Sequence, residues 1–592
     1  MTVLLIAILS ALFYLIAYNT YGKWLGSKLF KLSAKAITPA VELEDGNDYV
    51  PTDKGVIFGH HFTSIAGTGP IVGPALAVIW GWVPAVIWVL LGSVFIGAVH
   101  DFGALVVSLR NKGQTVGDIA GRVLSPRARM LFLSLLFLAL TIVLAIFGLV
   151  IAAVFKIYPT SIFPCLLQIP IAMGIGIFLH RKKVSLLIPS LLTLGLMYLS
   201  VAFGNVGMLA DLNAFLAGLP VIAWVVILLV YSYIASVLPV WVLLQPRDFI
   251  NSLQLLTSLA LIFAGLIAAS FLGLQVGEEK QQLEIIAPAF RLAPEGAPPI
   301  FPFLFVTVAC GAVSGFHCLV SSGTSSKQLK CETDARAVGY GSMLTEGFLA
   351  IIVILACVAG IGLGVVTENG VLTGEAAYLA RYETWASAKG LGAKLGAFVD
   401  GAANFLQALG ISRDFAVAVM GVFVASFAAT TLDTACRLQR YVTQELAGQL
   451  KIKPLTSKHG ATIFAVILAG LLAAPPAPGA EWSWATMGKG GLLLWPLFGA
   501  TNQLLGGLAF LVIVFWLKQQ KAPTWFVIPS AVVMLLLPGY AMYHQLFVGP
   551  GAWLTGDSPS VLLSVFGIAT VILEVWVIME AVAAWKRFER VG

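Results

Sequence analysis

Apolar stretches long enough to cross a bilayer recur from one end of this chain to the other. Windows of about 20 residues fall at 2–22, 61–80, 85–108, 130–155, 161–179, 185–203, 219–243, 250–274, 300–322, 341–366, 413–432, 460–474, 491–516, 524–546 and 560–583. In hydrocarbon every backbone N–H and C=O needs a partner inside the protein, so such a chain folds as a bundle of helices. The charged fraction agrees: 11% of 592 residues, against about 25% in a soluble domain. The expected fold class is an all-α polytopic membrane protein with fifteen spans. Its connections leave no room for a soluble domain, which excludes a receptor or sensor kinase.

The formal charge of +7 does not indicate nucleic-acid binding, which needs basic residues gathered on one surface. Lys and Arg sit instead in short groups between apolar runs. With the N-terminus outside and strict alternation, 27 of the 35 basic residues fall on inner segments, as the positive-inside rule requires. Eight remain outside: Lys156, Lys280, Arg291, Arg381, Lys389, Lys394, Arg413 and Lys489. The C-terminus is then cytoplasmic. The N-terminal run MTVLLIAILSALFYLIAY lacks a basic n-region and a small-residue cleavage site, so it is expected to be a retained helix. Six cysteines form no CxxC pair, which rules out a disulfide scaffold and zinc-finger spacing. Of two long outer loops, about 275–299 and 367–412, the second reads either as a helix on the membrane surface or as a plain connector.

The second window, FTSIAGTGPIVGPALAVIW, crowds Gly67, Gly69, Pro70, Gly73 and Pro74 together. Proline removes a helical hydrogen bond and glycine weakens the helix, so an unwound stretch lining a cavity is expected here. The seventh window carries Ser236 and Pro239 near its middle, which predicts a second break. Five windows span 61–203 and five span 219–432, and an odd number inverts the second set. Paired interrupted helices in two halves point to a transporter's binding site. The domains expected are an extra helix at 1–24, a cytoplasmic loop at 25–60 and a core at 61–432 with repeats 61–203 and 219–432. A cytoplasmic segment at 433–458 and four helices at 459–592 follow.

Ionisable residues inside spans are expensive and mark candidate sites. His60 and His61 open the first broken helix; His100 and Asp101 follow in the next window. His317, Ser321, Ser322 and Thr324 lie near the inner end of 300–322, Glu346 opens 341–366, and Asp433 ends 413–432. All fall on the inner half. Three readings stand: a proton relay, a metal or sodium site, and structural pairs such as Asp433 with Arg437 at i,i+4. Glu574 and Glu580 look peripheral. No P-loop, GxSxG elbow or HExxH occurs, so direct ATP drive, serine hydrolysis and metalloprotease chemistry lack their motifs.

Six blocks resemble the carbon starvation protein A family: DGNDYVPTDKGVIFGHHFTSIAGTGPIVGPALA (Asp45–Ala77), GAVHDF (Gly97–Phe102), SVLPVWVLLQPRDFIN (Ser236–Asn251), HCLVSSGTSSKQL (His317–Leu329), TTLDTACRLQRYVTQEL (Thr430–Leu446) and LWPLFGATNQLLGGLA (Leu494–Ala509). The resemblance implies a bacterial cytoplasmic-membrane transporter of the amino acid–polyamine–organocation superfamily. It implies a leucine-transporter-type five-plus-five core, and uptake of small peptides or pyruvate by proton symport. Combined with the residue reading, it assigns substrate contacts to Ser64, Gly67, Gly69, Gly73, Ser236 and Pro239. Proton coupling goes to His61, Asp101, His317 and Glu346, and a metal or cation site to His60, His100, Ser321, Ser322 and Thr324. The coupling ion is H+, with Na+ the alternative; no cofactor is required, while a bound metal ion stays open. The partners expected are the substrate and the lipid bilayer, with no nucleic acid and no further subunit. A membrane-embedded metal-dependent enzyme using the His/Asp/Cys cluster, a sodium-coupled carboxylate transporter and a channel are the competing functions.

Overall fold

The computed structural model describes residues 1–182, 187–368, 370–477 and 479–591. Lys183 and the start of the expected span 185–203 lie outside the described residues. Helices occupy the positions of the apolar windows, making the chain an all-helical polytopic membrane protein. In chain order they are α1 (Thr2–Asn19), α2 (Lys54–Ala66), α3 (Gly69–Trp80), α4 (Trp82–Leu109), α5 (Val116–Val123), α6 (Pro126–Ile157) and α7 (Ile162–Lys182). Next come α8 (Leu187–Phe203), α9 (Met208–Gly218), α10 (Val221–Val237), α11 (Leu244–Leu272), α12 (Ile300–Thr307) and α13 (Phe316–Gly323). The remainder are α14 (Ser342–Val358), α15 (Leu391–Gln407), α16 (Arg413–Leu450), α17 (Lys458–Ala473), α18 (Trp495–Gln519), α19 (Ile528–Phe547) and α20 (Val561–Val591). Among the described residues ten helical segments are long and apolar enough to cross a membrane, or twelve if each of two bent pairs is one span. The other windows hold the shorter α10 and α17 and the interrupted α12–α13 segment.

Helix starts follow capping chemistry. Thr115 accepts from the Asp118 N–H ahead of α5, Ser125 from Ala128 ahead of α6, where Pro126 takes the first helical position, and Ser457 from Gly460 ahead of α17. Gly67 ends α2 at φ +43°, a conformation that favours glycine. Helices α2 and α3 then meet at a 44° bend.

The unwound stretch is shorter than the crowded Gly and Pro residues suggest. Pro70 lies in the first turn of α3, where its missing N–H would be unpaired anyway, and the helix continues through Pro74. Gly69 and Gly73 are therefore helical, and they serve close approach. A side chain at Gly69 would collide with Cys310, and one at Gly73 with the Thr307 carbonyl.

The second break is not where the sequence put it. Ser236 and Pro239 lie where α10 ends and the chain turns, through 238–243, into α11, so they mark a helix terminus. The mid-span interruption falls instead between α12 and α13. A short turn Ala309–Ala312 ends in extended backbone at Val313, and α13 restarts at Phe316. The physical reason is that Pro239 stops α10 from continuing, whereas Gly311, Ser314 and Gly315 weaken the later window from within.

Segments assigned to the same side meet. Between segments expected inside, Arg110 pairs with Glu332 at 2.8 Å, and Asp48 bonds Arg437 at 2.6 Å and Arg440 at 3.3 Å. Between segments expected outside, Arg381 and Arg413 share Asp400 at 2.8 and 3.3 Å, and Arg291 donates to the Tyr382 carbonyl. The loop at 367–412 is neither a surface helix nor a plain connector: α15 is packed into the protein through Leu395, Phe398 and Phe405. Each of the two long connections also carries a short antiparallel hairpin, Leu274–Val276 with Glu279–Gln281 and Val365–Thr367 with Gly370–Leu372.

Two outcomes test this packing. Gly73→Val should fail to give a monodisperse protein in detergent, because its branched side chain meets backbone, while Gly174→Ala, with open space around it, should behave as wild type. Burial opposes charge on Asp48, but Arg437 and Arg440 hold its carboxyl well below the usual carboxylate range. A group so lowered stabilises the fold above its unfolded pKa near 4 and loses that contribution as pH falls through its folded value. Asp48→Asn should thus lower unfolding stability by about 1.5–3 kcal/mol at pH 7, measured by thermal melting, with the deficit shrinking below pH 4.

Candidate functional site

The site is built around the end of α2. At the Gly67–Thr68 bend the last carbonyls of α2 lose their helical partners, and α16 supplies substitutes. Thr430 donates to the Thr63 carbonyl at 3.0 Å and Thr431 to the Ser64 carbonyl at 3.2 Å, while Thr434 and Ser64 share a hydrogen bond of 3.1 Å. Across the second break Asn502 of α18 accepts from the Phe316 N–H at 2.8 Å and from Ser314 at 3.1 Å, and its backbone carbonyl accepts from the Gly315 N–H at 2.9 Å. One break is held by threonines from α16 and the other by an asparagine from α18. The polar atoms buried in this region with no partner among the described residues include the Thr68 hydroxyl at the first break and the Ser321 hydroxyl on α13.

Beside the break runs a chain of acids and imidazoles. Asp101 on α4 receives Nδ1 of His100 at 2.8 Å and Nδ1 of His317 at 2.8 Å. Nε2 of His317 then faces Glu346 of α14 at 3.4 Å. All four side chains are fully buried. A carboxylate bonded at both Nδ1 positions fixes the orientation of both rings and turns each Nε2 away from it. Neither Glu346 oxygen has a hydrogen-bond partner among the described residues. Asp101, His317 and Glu346, three of the four residues singled out for coupling, are thus brought into one line. The fourth, His61, bonds Ser325 at 2.8 Å through Nδ1 and leaves Nε2 unpartnered.

A second ionic group lies on the other flank of α2. Asp433 of α16 is bound by both Arg247 guanidinium nitrogens and by the Tyr231 hydroxyl at 2.8 Å. Arg247 also bonds Asp248, whose other oxygen is 2.5 Å from His60 Nδ1, and His60 Nε2 continues to Thr324 at 2.9 Å. The expected Asp433–Arg437 pair is absent: Arg437 turns to Asp48 and to the Ala235 and Leu238 carbonyls. A bidentate partner from α11 gives Asp433 better geometry than an i,i+4 neighbour. Arg247, Asp248 and Tyr231 were missed because nothing in their spacing links them to Asp433. The pattern QPRDF at the start of an apolar window, two charges bound for the interior, was the available signal.

The residues assigned to a metal or cation do not form one set. His60 and Thr324 touch, and His100 belongs to the Asp101 chain. Ser322 turns the other way, donating to the Cys318 carbonyl and accepting from the Val116 N–H. Among the described residues no three His, Cys, Asp or Glu side chains converge to hold a metal ion. Of the residues assigned to substrate, Ser64 and Gly67 frame the first break, Gly69 and Gly73 abut the second broken segment, and Ser236 and Pro239 lie beyond α16. Thr434 bonds Ser64 while Arg437, one turn further along, bonds the carbonyls flanking Ser236.

Comparison with known proteins identifies the family. Residues 2–538 match the family model described as carbon starvation protein CstA. The chain is 34% identical over 570 residues to a peptide transporter CstA of Campylobacter jejuni, covering 89% of this chain and 78% of that one. It is 32% identical over 620 residues to a peptide transporter CstA of Bacillus subtilis, with 99% and 98% covered. A pyruvate/proton symporter BtsT of Escherichia coli is 32% identical over 615 residues, with 92% and 81% covered. The chain belongs to the carbon starvation protein CstA family.

Proposed function

We propose that this protein is a secondary transporter that takes up small peptides or pyruvate across the bacterial cytoplasmic membrane together with protons, by alternating access. It is a transporter and not an enzyme. The observation that carries the reading is the buried Asp101–His317–Glu346 line, set against the broken end of α2. Ionisable groups at this depth need a reason to be there. A line in which one imidazole touches two carboxyls can accept a proton from one side and release it to the other. Relatives similar to this chain carry names of a peptide transporter and of a pyruvate/proton symporter, and both substrate classes present a carboxylate. The buried Thr68 hydroxyl at the bend, with no partner among the described residues, offers a donor for such an anion.

We read the fold as two inverted sets of five, in a different frame from the one the sequence suggested. The first comprises α2–α3, α4, α6, α10 and α11, with α7–α9 inserted; the second comprises α12–α13, the segment around α14, α16, α17 and α18. Each set opens on a broken helix, has its longest straight helix third and its short apolar helix fourth. The two long helices α6 and α16 pack against each other, and each also packs against both α10 and α17. Fifteen spans, with the N-terminus outside and the C-terminus inside, accommodate this frame. Arg247 bonds both Asp248 and Asp433, and His60 touches Asp248 from the other side.

Uptake of labelled pyruvate and of a labelled dipeptide into proteoliposomes, with and without an inward proton gradient, tests the assignment. Wild type should concentrate at least one of them only with the gradient; accumulation of neither contradicts the reading. Glu346→Gln should abolish concentrative uptake while leaving substrate exchange within about threefold of wild type, which separates coupling from binding. Arg247→Met should instead cost about 3–5 kcal/mol of stability by stranding Asp433 and Asp248, seen as loss of folded protein, with partial recovery in Arg247→Met/Asp433→Leu.

A further inference from the structure

Lys394 is an anomaly that the proton line does not use. It lies on α15, in the outer connection between α14 and α16, yet only 5% of it is exposed. Among the described residues Lys394 has no ion pair. The nearby acid on the same helix, Asp400, is already held by Arg381 and Arg413. What its ammonium faces is the ring of Trp495 at the start of α18, 5.5 Å away. Burial lowers the affinity of Lys394 for its proton, to a pKa of about 8, which still leaves it charged at neutral pH.

The Trp495 ring opens a row that runs inward. Its centroid is 5.7 Å from that of Phe498, and Phe498 is 6.2 Å from Phe147 of α6. Phe147 in turn lies against Gly67. Phe498 and Phe147 are 5% and 3% exposed, so the row is closed in this conformation. At its inner end the Thr68 hydroxyl is buried and unpartnered. An unpaired cation thus stands at one end of the aromatic row and an unpaired hydroxyl at the other, beside the broken helix.

We infer that Lys394 docks the carboxylate of the transported molecule on the outer side, and that Trp495, Phe498 and Phe147 form the gate through which it passes to Gly67 and Thr68. The inference rests on the transport reading and names a recognition element for it. The ligand chemistry is a small carboxylate. An aromatic face tolerates a passing cation or apolar group, while the ammonium selects the anion.

Initial uptake rates in proteoliposomes, measured for pyruvate and for a dipeptide, test it on the full-length protein. Lys394→Met should raise KM about tenfold or more for whichever carboxylate the wild type takes up, with the maximal rate within twofold; Lys394→Arg should keep KM within threefold. A merely structural lysine would lower the amount of folded protein without this split between KM and rate. KM within twofold of wild type in folded Lys394→Met overturns the assignment. Should that variant not fold, the wild type decides when a C-terminally amidated dipeptide competes for uptake. Competition at least tenfold weaker than by the free acid supports the carboxylate site, and equal competition overturns it. A wild type that accumulates neither pyruvate nor dipeptide contradicts the transport reading itself, and this assignment falls with it.

Discussion

A backbone carbonyl released by a helix break finds no water inside a bilayer, and a protein that interrupts its helices there must supply the missing partners from its own side chains. Here Thr430 and Thr431 of α16 take the carbonyls of Thr63 and Ser64, and Asn502 of α18 takes the amides of Gly315 and Phe316. The rest of the arrangement follows from these two repairs. They fix where α2 stops and α13 begins, and so bring His61 on α2 and His317 on α13 to the same depth as Asp101 on α4 and Glu346 on α14. Close glycine contacts between the two broken segments, at Gly69 and Gly73, complete the junction. A junction held by side-chain bonds from neighbouring helices can be remade when those helices shift, which an unbroken helix cannot.

Electrostatics then divides the interior into two parts. On one flank of α2, Arg247 clamps Asp248 and Asp433 in an arrangement whose disruption would strand charge. On the other, Asp101 and Glu346 meet only imidazole. The first group has a permanent cation and is built to stay; the second has no permanent cation and its charge depends on protons. This contrast, rather than burial alone, is why we propose the Asp101–His317–Glu346 line as the part that couples.

Much of the fold was legible because apolar windows and helix caps are local signals. The first break was legible too, since Gly67 sits among glycines and prolines, although its extent was not: a proline in a first helical turn costs nothing. The second break escaped because Pro239 is the louder signal, and it ends a helix; Gly311, Ser314 and Gly315 are weaker breakers in the right place. The inner cluster of His and acid residues was found from burial cost, yet its wiring was not. Asp433 chose Arg247, 186 residues away, over a neighbour one turn along, and sequence spacing carries no trace of that choice. The metal candidates illustrate the same limit: His60, His100 and Ser322 share a depth but face three directions.

The central claim is that one substrate carboxylate crosses with a proton handled by the Asp101–His317–Glu346 line. The most direct measurement is luminal pH in proteoliposomes loaded with a pH-sensitive dye, held without a potential, when pyruvate or a dipeptide is added outside at equal pH. The account predicts luminal acidification that follows substrate arrival and vanishes in Glu346→Gln. Substrate arrival at the wild-type rate with no change in luminal pH would contradict it.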